Sequence, residues 1–157
     1  MNTEQLFRMQ KEFDQHVQQH RQLQGEPLMD MKFLALLVEL GELANATRCF
    51  KYWSATEPES KQRILKEYAD GIQSILSLGI EFGFDSRKYV DGSYYSGEKE
   101  LTSQFLHVFE AVHLFKVKRS FDMYKILFYK YLHLGMLLGF SSKDIEETYT
   151  SRNEMLS

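Results

Sequence analysis

Val38-Glu39-Leu40-Gly41-Glu42-Leu43 and, further along, Lys66-Glu67-Tyr68-Ala69-Asp70-Gly71 decide how this chain is read. Each segment holds two acids spaced i,i+3, which a helix sets on one face about one turn apart. The segments fall on consecutive predicted helices, so an antiparallel hairpin would bring the four carboxylates together. Four converging acids repel one another unless a cation neutralises them. An all-oxygen set suits a hard cation such as Mg2+ or Mn2+. Redox iron in helical bundles is usually held by Glu-x-x-His pairs, which both couples lack. Most acid pairs on helices are simply solvated faces. Here the acids border apolar residues rather than charge-rich runs, and Gly41, Ala44, Ala69 and Gly71 permit close helix approach. Glu39, Glu42, Glu67 and Asp70 are therefore the candidate metal ligands.

Outward from these couples the apolar spacing is helical throughout. The second helix is expected over Met29 to Tyr52, with a stripe of Phe33, Leu36, Leu37, Leu40, Leu43, Ala44 and Thr47. Glu57-Pro58-Glu59-Ser60 marks a loop and a new start. The third helix then runs to about Phe82, where Gly83 stops it. A first helix is expected over Thr3 to Gln22, a polar loop over Asp85 to Gly97, and further helices over about 98–116 and 121–138. Gly139 ends the fifth, and Ser141 with Asp144 is positioned to cap a sixth. No segment alternates with period two, so no sheet is expected. The expectation is an all-α fold with a four-helix-bundle core from two helical hairpins and additional N- and C-terminal helices. Residues 1–157 should form one domain.

The chain also echoes itself. Leu78-Gly79-Ile80-Glu81-Phe82-Gly83-Phe84-Asp85-Ser86-Arg87 resembles Leu134-Gly135-Met136-Leu137-Leu138-Gly139-Phe140-Ser141-Ser142-Lys143, 56 residues later. Recurrent helix-end chemistry is one account. A duplicated helical hairpin is the other. Carried forward by 56, the four acids land on Tyr95, Glu98, Met123 and Ile126, so on the duplication account only the first hairpin carries the chemistry.

Composition narrows the function. The chain is 43% hydrophobic and 26% charged, with a net charge of −3, which gives no polycation field for a nucleic-acid backbone. No apolar run approaches the ~20 residues of a membrane span. The first residues carry no basic-then-apolar leader. With Cys49 as the single cysteine, the expectation is a soluble cytoplasmic protein without nucleic-acid or membrane partners. Cys49 itself reads as a small buried hydrophobe. His107-x-x-Glu110-x-x-His113 spreads around its helix and reads as surface or dimer interface rather than a metal site. Walker A, G-x-G-x-x-G and H-E-x-x-H motifs are absent.

Taken together, Glu39-x-x-Glu42 and Glu67-x-x-Asp70 resemble the signature of the all-α nucleoside triphosphate pyrophosphohydrolases, the MazG-like proteins and the dimeric dUTPases. Glu39-Leu40-Gly41-Glu42-Leu43-Ala44-Asn45, Phe50-Lys51-Tyr52-Trp53, Glu67-Tyr68-Ala69-Asp70-Gly71-Ile72 and Gln10 within Met9–Asp14 are most similar to the dimeric dUTPase branch. The resemblance spans nearly the whole chain. It implies Mg2+-dependent hydrolysis of dUTP and dUDP at the α-phosphate, with Glu39, Glu42, Glu67 and Asp70 as metal ligands. Glu39 or Glu42 would orient or deprotonate the attacking water. It implies substrate contacts from Gln10 to the uracil edge, from Asn45 to base or sugar, from Trp53 against uracil or deoxyribose, and from Lys51 to a phosphate. A homodimer is implied as well. Tyr149-Thr150-Ser151-Arg152-Asn153 matches the start of the family's substrate-closing tail, which makes Arg152 and Asn153 further candidates. Glu154-Met155-Leu156-Ser157 then departs from the family's polar pattern. Two alternatives follow: a MazG-like house-cleaning hydrolase of another nucleotide, and a nucleotide-binding or regulatory protein that has lost turnover.

Overall fold

Buried aromatic and aliphatic side chains from six helices share one core. The computed structural model describes residues 1–23, 25, 27–89 and 97–156, with 152–156 described by backbone alone. The helices are α1 (Thr3–His20), α2 (Met29–Thr47), α3 (Lys61–Glu81), α4 (Leu101–Lys118), α5 (Phe121–Leu137) and α6 (Ser142–Leu156), with a 3-10 turn at Phe84–Ser86. No strand occurs among the described residues. The expected all-α class is what forms. α2 packs on α3 and α4 on α5, the hairpins meet through α2–α4 and α3–α5 contacts, and α1 and α6 lie against α3.

Helix ends follow side-chain chemistry. Ser60 caps α3 by accepting from the Arg63 N–H, and Ser120 caps α5 by accepting from Met123. Ser141 and Asp144 exchange bonds: the Ser141 N–H donates to Asp144 Oδ2 at 3.0 Å, and the Asp144 N–H donates to Ser141 Oγ at 3.1 Å. The cap expected from sequence is therefore present. Gly83 takes a left-handed φ of 76° just beyond α3, the stop its position predicts.

Two boundaries differ from expectation by more than two residues. α2 ends at Thr47 rather than Tyr52. Thr47 Oγ1 donates back to the Ala44 carbonyl at 2.8 Å, and Arg48 turns left-handed at φ 58°. A back-bonding threonine competes with the helical ladder, which apolar spacing does not register. Lys51 and Trp53 consequently sit in a loop. α4 starts at Leu101 rather than near Glu98, because Glu98 Oε1 accepts from the Lys99 and Glu100 N–H groups. Part of the loop expected over Asp85 to Gly97 lies outside the described residues, as does Tyr95 of the 56-residue shift.

The internal echo is a geometric property of the core. Tyr68 donates to the Tyr131 carbonyl at 2.9 Å, and Tyr124 donates to the Ile75 carbonyl at 2.6 Å. Tyr124 and Tyr131 lie 56 positions beyond Tyr68 and Ile75, so each bond is the other with α3 and α5 exchanged. The same exchange relates Tyr68 against Gly135 to Tyr124 against Gly79. It also relates the Phe140–Tyr68 contact at 5.6 Å to the Phe84–Tyr124 contact at 5.4 Å. α3 and α5 thus cross antiparallel about a local pseudo-two-fold, as a duplicated hairpin would.

Candidate active site

Glu39 on α2 and Glu67 and Asp70 on α3 bring carboxylate oxygens within 4.8 Å of one another. The α2–α3 hairpin places them: the helices run antiparallel, with Lys32 paired to Glu81 at one end and the Glu59 N–H donating to the Ala46 carbonyl at the other. Glu67 is 8% exposed, and its Oε2 has no hydrogen-bond partner among the described residues. Its Oε1 lies 3.3 Å from Arg63 Nε, one turn earlier on α3. A buried carboxylate oxygen left without a donor is costly. Three hard oxygen donors, one of them so orphaned, fit a divalent cation. The local negative charge is also felt by Tyr131. Burial, then the Tyr68 hydroxyl, then Glu39 and Glu67 push its phenol well above the ordinary range, which keeps it protonated and donating.

Glu42 stands apart from this trio. It is exposed, and lines a groove of about 290 Å³ with Glu67, Asn45, Glu59 and Arg63. On the other side of the acids lies a polar cavity of about 270 Å³. Glu39 and Asp70 face it, together with Gln10 and Asp14 from α1, Lys32 from α2, and Gln73, Ser74 and Ser77 from α3. The carboxylates therefore stand at a seam: Glu39 and Asp70 toward the cavity, Glu67 toward the groove.

Gln10 is 1% exposed, and each end of its amide makes one hydrogen bond. Its Oε1 accepts from the Tyr149 hydroxyl of α6, and its Nε2 donates to Asp14 Oδ1 at 2.8 Å. Asp14 Oδ2 accepts from Ser77 Oγ at 2.9 Å and lies 3.8 Å from Lys32 Nζ.

The structure brings Gln10 to the cavity and Asn45 to the groove, but Lys51 and Trp53 line neither. Trp53 is 65% exposed and stacks edge-on with Tyr52 at 5.0 Å and Phe50 at 6.1 Å, with Lys51 Nζ 5.9 Å from the Phe50 ring. The side chains of Arg152 and Asn153 lie outside the described residues. His107 Nε2 lies 3.2 Å from Glu98 Oε2, while Glu110 and His113 are exposed. Cys49 is only half-buried, packed at the edge of the core. Arg63, Asp14, Lys32 and Ser77 are not singled out by the sequence, and Tyr149 enters there only as the first residue of the tail motif. Two carried a signal: Arg63 is i−4 from Glu67 and Asp14 is i+4 from Gln10, both neighbour spacings on a helix.

An all-α bundle with carboxylates gathered between consecutive helices is the arrangement of the all-α nucleotide pyrophosphohydrolases. A family model described as dUTPase matches residues 2–156. The chain belongs to this dUTPase family, the all-α one, and its activity is that of a dUTP diphosphatase. The family depends in general on a divalent metal, in keeping with the acidic group here. No curated protein matches the chain. No helix among the described residues is long and apolar enough to cross a membrane.

Proposed function

We propose that this chain hydrolyses dUTP to dUMP and pyrophosphate, and dUDP to dUMP and phosphate, by attack of water at the α-phosphate with Mg2+ as the cofactor and Mn2+ as a substitute. The observation that carries this reading is the carboxylate trio Glu39, Glu67 and Asp70 at the seam between a polar cavity and a groove. Base and sugar would occupy the cavity, with the phosphates reaching across the acids into the groove. Glu39, Glu67 and Asp70, with Glu42 completing the set, would hold the cation. A cation bound there would offset phosphate charge and acidify a coordinated water. Glu42 shares the groove with Glu67 but lies outside the trio, which suits it to orient the attacking water or take its proton. Glu39 is the second candidate for that task. Arg63 faces the groove and is a candidate to meet a phosphate oxygen.

Gln10 presents an amide to the cavity and would read the uracil edge, while Asn45 would contact the substrate at the groove. Lys51 and Trp53 would reach it only by movement of the loop that follows α2. Arg152 and Asn153 at the end of α6 would add contacts to the phosphates.

The reading includes a homodimer formed through α2 and α4. Met31, Leu34 and Val38 on α2 and Leu106, Leu114 and Val117 on α4 are all exposed, and the two helices pack side by side. Such a double apolar stripe on a surface suits a partner. One domain over 1–157 and a cytoplasmic setting, in keeping with a lone cysteine, complete the proposal.

Pyrophosphate release should be measured on dUTP, dUDP, dCTP and dTTP, with and without Mg2+. The expected result is metal-dependent turnover of dUTP and dUDP alone. Equal rates on dCTP or dTTP would move the chain to a broader nucleotide hydrolase. Sedimentation should give twice the chain mass, and Leu34→Lys with Val117→Lys should halve it.

A further inference from the structure

We propose that Asp14 and Tyr149 are positioning residues that lock the Gln10 side-chain amide in one direction, and that this direction selects uracil over cytosine. The inference rests on the proposed reading of Gln10 as the base-contacting residue. An amide can face either way, and only its partners decide which end is the oxygen. Here both ends of the amide have fixed partners. Nε2 points at a carboxylate, Asp14 Oδ1, at 2.8 Å, and an ionised carboxylate only accepts. Asp14 is held in turn by Ser77 Oγ, which donates at 2.9 Å, and by Lys32 Nζ at 3.8 Å. At the far end of the amide, the Tyr149 hydroxyl donates to Oε1. Tyr149 is fully buried, so this bond forms away from water. Turning the amide over would set Oε1 against Asp14, acceptor against acceptor.

What the locked amide has left is one Nε2 hydrogen and one Oε1 lone pair. The Watson–Crick edge of uracil offers a carbonyl beside a ring N–H, which meets that donor and acceptor in register. In the same pose cytosine sets its exocyclic amino group against Nε2 and its unprotonated ring nitrogen against Oε1. Both contacts are then like against like. A buried site that leaves polar groups unmatched rejects the wrong partner strongly.

The roles of the two residues differ. Asp14 sets the direction, because it alone cannot donate. Tyr149 sets the position, because it ties the amide to α6. The test compares wild type with Asp14→Asn, Tyr149→Phe and Gln10→Ala. It reads kcat/KM on dUTP and dCTP, metal-free binding of dUMP and dCMP by calorimetry, and thermal melting. Asp14→Asn offers donor and acceptor alike and frees the amide. The dUTP-to-dCTP ratio, and the matching dUMP-to-dCMP affinity ratio, should fall at least about tenfold, with melting nearly unchanged. Tyr149→Phe should raise KM for dUTP about threefold or more while kcat holds within about twofold, as for a loss of uniform binding. If Gln10→Ala collapses both ratios but Asp14→Asn leaves them intact, the lock is overturned and the base reading stands. If Gln10→Ala leaves the ratios intact, the base reading fails and the lock fails with it. An unchanged KM in Tyr149→Phe removes Tyr149 from the lock.

Discussion

Tyr68 and Tyr131 exchange hydrogen bonds across the core: Tyr68 donates to the Tyr131 carbonyl at 2.9 Å, and Tyr131 donates to the Tyr68 carbonyl at 2.7 Å. Their rings stack at 4.5 Å, 9° from parallel. Each carbonyl belongs to a helix, so losing one hydroxyl removes a bond without orphaning its acceptor. Tyr68→Phe should cost about 1 kcal/mol in urea unfolding. Tyr131→Phe should cost a similar amount and also alter cation affinity, because its phenol neighbours Glu39 and Glu67. Equal cation binding in wild type and Tyr131→Phe would limit Tyr131 to packing.

Two glycines beside the acids should respond in opposite ways. A methyl group on Gly71 would collide with the Tyr131 hydroxyl, whereas one on Gly41 would meet nothing within 4 Å. Gly71→Ala should destabilise the fold by about 1–3 kcal/mol through forced repacking. Gly41→Ala should stabilise it by about 0.5–1 kcal/mol through helix propensity. Chemical denaturation of both variants checks the contrast.

Glu67→Gln replaces the buried acid with a neutral side chain of the same shape. Turnover should fall by at least about 100-fold, and divalent-cation binding by calorimetry should be lost. The circular dichroism spectrum should be unchanged, because the ion pair Glu67 makes among the described residues is with Arg63, which is largely exposed. Turnover near the wild-type rate would remove Glu67 from the cation site.

Acid should loosen the cap of α6. The Ser141 N–H, then its hydroxyl, holds the Asp144 carboxyl below its ordinary value of 3.8. A carboxyl depressed in the folded state contributes stability that is fully present above its unfolded value and is lost as pH falls through its folded one. Glu98, depressed first by the Glu100 N–H and then by His107, acts in the same sense from 4.5 downward. These two carboxyls should therefore lower the melting temperature as pH falls below about 5. Asp144→Asn should make that drop shallower, and an unchanged acid limb would contradict the assignment.

Trp53→Ala should leave stability within about 0.5 kcal/mol of wild type, as expected for a side chain this exposed. Its effect on dUTP kinetics then reports on the loop alone. A rise in KM with unchanged melting would mean the loop after α2 moves onto the substrate. Unchanged kinetics would take Trp53 out of substrate binding.

The helices were legible because periodic apolar spacing and Ser, Gly and Asp caps act locally, and Ser60, Gly83 and the Ser141–Asp144 pair behave as their positions imply. The couples Glu39/Glu42 and Glu67/Asp70 were legible as a pattern, yet the fold draws three of the four into one group. On α2 the spacing puts Glu39 over α3 and turns Glu42 outward, a rotation decided by packing. The early end of α2 was illegible because one hydroxyl, that of Thr47, chose a backbone carbonyl over solvent. Asp14, Lys32 and Tyr149 were illegible for a different reason. Their meaning lies in partners on other helices, with Tyr149 separated from Gln10 by 139 positions.

The Tyr68–Gly135 and Tyr124–Gly79 contacts act as two detents on a sliding joint. Each tyrosine seats in a notch that only a residue without a side chain provides, and each hydroxyl latches onto the opposite helix there. A slip of α3 by one turn, about 5.4 Å, would unseat both at once. Tyr68 stands between Glu67 and Asp70 in the chain, so the joint that sets helix register also sets the height of the carboxylates. The alignment of the acids is thereby governed from the half of the fold that carries none of them.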